Sequence, residues 1–403
     1  MEFSTAYMQD LINQIPWSLT QWILVLSFSL ATLIQVFYYL GAFRGIPRWS
    51  KRVSNGKIQL QTKPIPVTVI LTASNQRDYL AENLPLILEQ DYPEFQVVVV
   101  DDASSDLTVD LLSELQLKYP NLYHTFVPEG VQNISARKIA LTVGIKAAKY
   151  EHLLFTDANC KPVGKQWISS MMRHFTDQTS VVLAYSRYGE VKGLKKKFMA
   201  YDNLFQAIRY LGFAAAGKPY MGIGRNLAYK KELFFQQRGF ASHLNLHSGE
   251  DDLFVSDVAT KSNTRIDVSP ESVMLVETTM PYYVWKEDRI NRLNTSMHYK
   301  LSARMRIGME VFTRLLHYGL LVTLLTIGLV QANVPILVLI GVFFTIRLAL
   351  QVAAVNASAK TLGEKRFFFT VTLFDLVLPF YSFIQRLEGN FSRRKSHMNQ
   401  ILH

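Results

Sequence analysis

Two long stretches of the chain contain no charged side chain. Residues 11–43 hold no Asp, Glu, Lys or Arg, and neither do residues 315–346. Each stretch is longer than the roughly 20 residues that an α-helix needs to cross a bilayer. We therefore predict an extracytoplasmic tail and a membrane anchor within residues 1–48, and a hairpin of two membrane helices, 307–330 and 334–355, near the C-terminus.

A secretory signal peptide is the alternative interpretation of the first apolar stretch. The stretch is too long for a signal peptide and lacks a clear cleavage site of small residues, so we interpret it as a retained anchor. A third apolar stretch, residues 367–385, contains Asp375, and its Pro379 also permits a re-entrant or interfacial segment. We place the C-terminal membrane helices within residues 307–386, followed by a basic tail at 387–403.

The chain between these stretches alternates short apolar runs with polar segments of helical pattern. Short apolar runs predict buried strands, and apolar positions three or four residues apart predict helices. Their order, βαβαβαβ, is typical of a mostly parallel sheet with helices on both faces, an α/β fold. We assign this domain to residues 60–300. The predicted strands are residues 67–71, 96–100, 122–127 and 151–156, and the clearest predicted helices are residues 78–90 and 134–149.

Charge and cysteine content indicate which side of the membrane this domain occupies. Arg44, Arg48, Lys51 and Arg52 follow the first apolar stretch, and positive charge favours the cytosolic side. The single cysteine, Cys160, cannot form a disulfide within the chain, which suits a reducing compartment. Much of the net charge of +11 lies beside the apolar stretches, where anionic lipid headgroups explain it better than nucleic acid does. We expect a cytosolic domain and membrane lipids, but no nucleic acid, as partners.

Three of the predicted strands end in polar or acidic residues. The ends carry Thr72 to Asn75, the pair Asp101 and Asp102, and the segment Asp157 to Asn159. In parallel sheets ligands bind at the carboxyl ends of the strands, so these groups are expected to meet at one edge. Asp and Asn also cap helices, and capping alone explains one acid at each strand end. It does not explain the whole group.

Six motifs follow one another between residues 64 and 300. They are VILTASNQ (69–76), VVVVDDASSD (97–106), ARKIALTVGI (136–145), LLFTDANC (153–160), GIGRNLAY (222–229) and SGEDDLF (248–254). Together they resemble the motifs of the membrane-bound family 2 glycosyltransferases of bacterial inner membranes. The resemblance implies a GT-A fold, a Rossmann-like nucleotide-sugar domain with a mostly parallel sheet. It also implies one N-terminal and two to three C-terminal membrane helices, and interfacial helices near 197–212 and 283–300.

The resemblance implies a nucleoside diphosphate sugar as donor, with UDP as the expected nucleotide. Lys138 comes early in a predicted helix, where its charge would neutralise phosphate, although a solvated lysine is the alternative. For Asp102 the alternative is capping of the next helix. The donor-binding residues that the resemblance implies are Thr72, Ala73, Asn75, Gln76, Asp101, Asp102, Lys138 and Asp157.

The segment FTDANC stands where the family usually has Asp-x-Asp, whose carboxylates bind Mg²⁺ or Mn²⁺. Asp157 matches the first acid, whereas Asn159 keeps an oxygen ligand and loses a charge. A hard divalent cation can still bind one carboxylate, because waters and phosphate oxygens complete its coordination. We expect a weaker metal site at Asp157 and Asn159, not a missing one.

Three adjacent acids in SGEDDLF are the candidate catalytic residues. The resemblance assigns the general base to Asp251, with Asp252 in reserve and Glu250 beside them, and it implies an inverting reaction. Mutual repulsion would raise the pKa of one of these acids toward a useful range. Acids in the first turn of a helix are the structural alternative, because the helix dipole favours them.

Two further segments are candidates for contact with the acceptor or the diphosphate. In GIGRNLAY these are Gly224, Arg225 and Asn226, for which an ordinary glycine-containing turn is the alternative. In WKEDRINRL they are Trp285, Arg289 and Arg292. Processive family members carry Gln-x-x-Arg-Trp at this place. The motif is absent here as such, which argues against processive synthesis.

The sequence therefore predicts a glycosyltransferase of the bacterial inner membrane, with several membrane passes and a cytosolic catalytic domain. It would transfer a sugar to a lipid-linked or glycan acceptor in cell-envelope or extracellular polysaccharide synthesis. One alternative is a processive polysaccharide synthase that also translocates its product. The other is a degenerate subunit that binds sugar nucleotides without catalysis, which Asn159 and Gln76 favour and the intact pair Glu250 and Asp251 opposes.

Overall fold

A computed structural model describes residues 17–127, 135–189, 192–277 and 282–401, with side chains described up to residue 388. The helices of six or more residues are α1 (Leu19–Leu40), α2 (Gly45–Ser54), α3 (Arg77–Leu88), α4 (Thr108–Lys118), α5 (Ala136–Ala147), α6 (Trp167–Met172), α7 (Leu194–Ala215), α8 (Lys231–Gln236), α9 (Asp252–Val258), α10 (Tyr282–Thr295), α11 (Leu301–Val330), α12 (Val334–Thr361) and α13 (Phe369–Ile401). The strands are β1 (Val67–Ala73), β2 (Phe95–Asp101), β3 (Leu122–Phe126), β4 (His152–Phe155), β5 (Cys160–Pro162), β6 (Val181–Leu183), β7 (Ser186–Tyr188), β8 (Leu227–Lys230), β9 (Thr264–Ile266) and β10 (Met274–Val276).

The chain divides into two compact units. Unit 1 comprises residues 1–40 and 306–351, and unit 2 comprises residues 41–305 and 352–403. Three helical segments are long and apolar enough to cross a membrane, namely Leu19–Ser54, which contains α1, and the helices α11 and α12. The predicted N-terminal helix and C-terminal pair are thereby confirmed as membrane-capable helices. Within the described part of the chain, α13 is not among these segments.

Unit 1 buries polar side chains between its apolar helices. Gln35 of α1 donates hydrogen bonds to the Glu310 carbonyl oxygen and to the Thr313 hydroxyl of α11, each at 2.8 Å. Arg314 forms an ion pair with Glu310 at 2.8 Å, one helical turn away. Arg347 of α12 donates to the Tyr318 hydroxyl at 3.1 Å. Buried polar groups are costly unless they are paired, so these contacts fix how the three helices pack.

Unit 2 is built on a seven-stranded sheet of order β3-β2-β1-β4-β8-β6-β9. The four strands predicted from the sequence are neighbours, and β1 pairs in parallel with both β2 and β4. The apolar runs in β1 and β2 are almost entirely buried, as expected for central strands covered on both faces. Antiparallel pairing begins at β8, which lies beside β4 and β6. The predicted α/β class with a mostly parallel sheet is confirmed.

Unit 2 also contains a smaller sheet and a group of three helices, α7, α10 and α13. The small sheet has the order β5-β10-β7. Helices α7 and α10 cover the two segments that were expected to form interfacial helices, and α13 packs against both. Arg289 of α10 connects all three helices, because it pairs with Asp202 of α7 at 3.0 Å and donates to Gln385 and Ser382 of α13.

Helix α2 approaches α7 so closely that only glycine fits at the contact. A Cβ atom at Gly212 of α7 would lie 2.3 Å from the Ala42 carbonyl oxygen, and one at Gly45 of α2 would lie 2.8 Å from Gly212 Cα. Since the obstacle is backbone, a side-chain rotation cannot relieve it. The segment that follows α1 therefore depends on Gly212 for its packing against α7.

We expect Gly212→Ala to lower the stability of unit 2 by about 1–3 kcal/mol, the usual cost of an overpacked contact. Thermal unfolding of the detergent-solubilised protein measures the effect. Gly164→Ala is the matched control, because a Cβ atom at Gly164 meets nothing within 4 Å. Equal unfolding temperatures for the two variants would contradict the close-packing explanation.

Candidate active site

A cavity of about 340 Å³ lies in unit 2 at the carboxyl ends of the parallel strands. Its lining residues come from the segments after β2 and β4, the N-terminus of α5, the turn before β8, the N-terminus of α9 and one face of α10. Five of the six sequence motifs thus contribute residues to this cavity, and the motif at residues 69–76 does not. The charged residues of its lining are Asp102, Arg137, Asp157, Arg225, Glu250, Asp251, Asp252, Asp288 and Arg292.

Asp251 is held at the cavity wall by two backbone amides. Its Oδ2 accepts a hydrogen bond from the Gly224 N–H at 2.7 Å, and its Oδ1 accepts one from the Asp252 N–H at 2.7 Å. Asp251 is the N-cap residue of α9, and the hydrogen bond from the Asp252 amide is its capping bond. The same residue lines the cavity, so capping fixes the carboxylate in place without removing it from the candidate site.

Asp252 is buried beside Asp251 and is bound to the segment that ends α10. Its Oδ2 accepts hydrogen bonds from the Tyr299 hydroxyl at 2.7 Å and from the Thr295 hydroxyl. Burial, and then the negative charge of Asp251, raise the pKa of Asp252 to about 7. Burial likewise raises the pKa of Glu250. Two of the three adjacent acids therefore have raised pKa values, as the sequence suggested for one of them.

Arg137 pairs with two carboxylates in the cavity. Its Nη2 lies 2.6 Å from Asp157 Oδ1, and its Nε lies 2.9 Å from Glu250 Oε1. The charge of Asp157, above all, raises the pKa of Arg137. Arg137 was not among the residues predicted from the sequence. The available signal was its position one residue before Lys138, in the first turn of a helix that follows a strand.

Lys138 points away from the cavity, into a loop. Its buried Nζ donates hydrogen bonds to the backbone carbonyl oxygens of His243 at 2.6 Å, Ser248 at 3.1 Å and Leu246. Burial lowers the pKa of Lys138, since it disfavours the charged form. The ammonium group thus organises the loop that leads into Glu250. This contact supports a structural role for Lys138, and phosphate binding by Lys138 stays a prediction.

The predicted metal ligands are not placed together. Asp157 lines the cavity, whereas Asn159 does not, and the Asn159 Oδ1 accepts a weak hydrogen bond from the Cys160 thiol at 3.5 Å. Within the described residues, no three His, Cys, Asp or Glu side chains are placed to hold an ion. Glu250 Oε2 is buried without a hydrogen-bond partner in the described structure. Asp157 and Glu250 therefore fit a hard cation in part, with other ligands needed.

The donor-side residues from β1 and β2 divide between the cavity and its supports. Asp102 lines the main cavity, and Thr72 lines a smaller pocket that also contains Asp157. Asn75 supports the loop after β2, because its Oδ1 accepts from the Ser105 and Asp106 backbone amides. Asp101 accepts from the Ser104 backbone amide at 3.2 Å in the same way. Ala73 and Gln76 are the two remaining donor-side candidates. Ala73 pairs with Asp101 in the sheet, and Gln76 occupies the N-cap position of α3, where its side chain forms no capping hydrogen bond.

The acceptor-side candidates also divide. Arg225 and Arg292 line the cavity. Asn226 is buried and donates to the carbonyl oxygens of Tyr185 and Ser272, each at 2.7 Å, so it supports the turn that carries Arg225. Trp285 is buried and stacks on Tyr381 of α13, and neither it nor Arg289 lines the cavity. Gly224 contributes its backbone amide to Asp251.

A mostly parallel sheet with a carboxylate-lined cavity at its strand ends fits the expected GT-A type of fold. The chain belongs to Glycosyl transferase family 21, whose sequence profile matches residues 29–397. The expected membership of a glycosyltransferase family is confirmed, although the motifs resembled those of family 2.

Curated relatives match a short part of the chain. A poly-beta-1,6-N-acetyl-D-glucosamine synthase of Staphylococcus epidermidis is 27% identical over 93 residues, which are 23% of this chain and 21% of that protein. The poly(ribitol-phosphate) beta-N-acetylglucosaminyltransferase TarS of Staphylococcus aureus is 34% identical over 94 residues, 23% of this chain and 16% of that protein. The chain thus spans about a fifth of the length of these relatives.

A solved structure supports the fold over most of the chain. The mannosyltransferase PcManGT of Pyrobaculum calidifontis, solved in complex with GDP-Man and Mn²⁺, has a TM-score of 0.52 and 19% sequence identity. The match covers 84% of this chain and 98% of that chain. At this identity the likeness concerns the fold alone.

We expect Lys138→Met to loosen the loop 243–248, because three carbonyl groups lose their common donor. Hydrogen exchange in this loop should rise about tenfold, equivalent to about 1.4 kcal/mol, while UDP affinity stays nearly constant. Exchange monitored by mass spectrometry and UDP titration measure the two effects. Lys146→Met, at an exposed position of the same helix, is the control. Weaker UDP binding with an unchanged loop would instead support a phosphate-binding Lys138.

Proposed function

We propose that this chain is an inverting glycosyltransferase of the bacterial inner membrane that uses a nucleoside diphosphate sugar, UDP-linked above all. Its acceptor is a lipid-linked or glycan molecule at the membrane, used in cell-envelope or extracellular polysaccharide synthesis. The catalytic domain faces the cytosol, and the three membrane-capable helices anchor the chain in the membrane. One observation carries the proposal, namely that Asp251 is fixed in a cavity that also contains the cationic groups a diphosphate needs.

The cationic groups are Arg137, Arg225 and Arg292. Arg225 is only 4% exposed, and among the described residues its Nη2 has no hydrogen-bond partner. A buried donor without a partner is costly, so a bound ligand oxygen would satisfy it. Guanidinium groups bind phosphate through paired hydrogen bonds. These residues therefore suit the diphosphate of the donor and the charge that develops on it as it leaves.

Asp251 is the candidate proton acceptor. Two amide hydrogen bonds fix its carboxylate, which leaves lone pairs of both oxygens for an acceptor hydroxyl. Removal of that proton as the hydroxyl attacks the anomeric carbon from the face opposite the diphosphate gives inversion. Fixed geometry favours such a step, since little reorganisation is then needed in the transition state.

Asp157 and Glu250 would hold a divalent cation, Mg²⁺ or Mn²⁺, with diphosphate oxygens as further ligands. The bound ion would supply Lewis-acid stabilisation of the leaving diphosphate. The Mn²⁺ and GDP-Man in the complex of the Pyrobaculum mannosyltransferase support this part of the proposal. The lost charge at Asn159 is expected to weaken the site.

The names of the relatives support the acceptor class. One is a synthase of poly-beta-1,6-N-acetyl-D-glucosamine and another is a poly(ribitol-phosphate) beta-N-acetylglucosaminyltransferase, and both are bacterial enzymes of polymers that contain sugars or sugar alcohols. Processive synthesis is the second candidate, which the poly-N-acetylglucosamine relative favours and the altered arginine motif opposes. A non-catalytic binding subunit is the third candidate, and the fixed Asp251 opposes it.

We expect Asp251→Asn to lower transfer by roughly 10²–10⁴-fold, the usual contribution of a general base. Donor affinity should stay nearly unchanged, because the base acts in the transition state. Membranes are incubated with a panel of radiolabelled nucleotide sugars, and lipid-linked product is separated from polymer. Asp177→Asn, an exposed carboxylate outside the cavity, is the control. Turnover within a few fold of the control would remove Asp251 as the base, and polymeric product would favour the processive candidate.

Excess EDTA should abolish transfer, and added Mn²⁺ or Mg²⁺ should restore it, since a hard cation neutralises the leaving diphosphate. Asp157→Ala should stay inactive at every metal concentration. The same radiolabel assay measures both effects, and Asp177→Asn again serves as the control. Full activity in excess EDTA would refute the metal requirement.

A further inference from the structure

Arg137 occupies the carboxylates that the proposed cation would need. Its guanidinium contacts Asp157 Oδ1 at 2.6 Å and Glu250 Oε1 at 2.9 Å. These two residues come from separate motifs, one after β4 and one before α9. The Arg137 guanidinium thus connects these two segments across the cavity.

Asp157 is the only carboxylate of its own motif. With Asn159 directed toward Cys160, Asp157 has no second carboxylate beside it in its own motif. A divalent cation at Asp157 would lie close to the guanidinium, and like charges at that separation repel strongly in a partly dry site. The cation and Arg137 therefore compete for the same carboxylate oxygen.

Arg137 is also the member of the trio that solvent and ligands reach most easily. Its side chain is 42% exposed, whereas Asp157 is 21% and Glu250 10% exposed. It lines the cavity together with Arg225 and Arg292. A long side chain with this exposure can rotate to another anion in the cavity, and a diphosphate offers paired oxygens that match its geometry.

We propose that Arg137 alternates between two anionic partners. Without nucleotide, its guanidinium pairs with Asp157 and Glu250. When a nucleoside diphosphate enters, the guanidinium moves to the diphosphate, and both carboxylates become available to a divalent cation. This inference rests on the proposed donor class. It follows that the nucleotide and the cation bind cooperatively, and by linkage each strengthens the other by the same factor.

The test is Mn²⁺ binding, measured by electron paramagnetic resonance on the full chain in detergent, with and without UDP. For the wild type we expect UDP to tighten Mn²⁺ binding about tenfold or more, within the usual range of such coupling. Arg137→Gln should bind Mn²⁺ about tenfold more tightly than the wild type without UDP, and UDP should then tighten binding by a smaller factor than in the wild type, because only the diphosphate ligands still contribute. UDP also binds Mn²⁺ in free solution, so Asp157→Ala with UDP sets the background.

Arg137→Lys is the second variant, in case the glutamine variant does not fold. A lysine keeps the charge as a single point, so it can hold one carboxylate but not bridge two. It should show intermediate Mn²⁺ affinity without UDP. Equal Mn²⁺ affinity of wild type and both variants without UDP would overturn this inference alone. No Mn²⁺ binding in any sample, with or without UDP, would overturn it together with the metal part of the proposed function.

Discussion

Repulsion among carboxyl groups is the constraint on which the site depends. Six of them line one cavity, because the strand ends and the N-terminus of α9 meet there. Like charges in a partly buried site cannot all stay ionised without compensation. Four of them are offset in different ways: Arg137 pairs with Asp157 and Glu250, two amides hold Asp251, and burial raises the pKa of Asp252 to about 7. The surrounding fold serves to keep these compensating groups in position.

Lys138 shows how far this support extends beyond the cavity. A buried ammonium needs acceptors, and three carbonyl groups of the loop 243–248 supply them. The loop leads directly into Glu250 and Asp251, so the position of the acids depends on a lysine in another motif. Helix α5 thus contributes two adjacent basic residues with different tasks, one inside the cavity and one beneath it.

Apolar runs were sufficient to predict four of the seven strands of the main sheet, whereas the roles of single polar residues were not predictable. β1, β2 and β4 are buried on both faces, and burial leaves a plain signal in the residue types. Arg137 and Lys138 are adjacent on a helix and point about 100° apart, so only the packed structure decides which one faces the cavity. Likewise, only the packed structure decides that Arg225 lines the cavity whereas the adjacent Asn226 does not. Arg289 was selected from a motif position, but its partners on α7 and α13 come from distant sequence.

Asp252 links the acid motif to the acceptor side of the cavity. The hydroxyl groups of Thr295 and Tyr299 donate to it, and Arg292, three residues before Thr295, lines the same cavity. A carboxyl group with a pKa near 7 changes its charge close to neutral pH, so its two hydroxyl partners gain or lose an ionic acceptor there. The end of α10 is consequently fixed to α9 by bonds whose strength depends on the charge of the cavity.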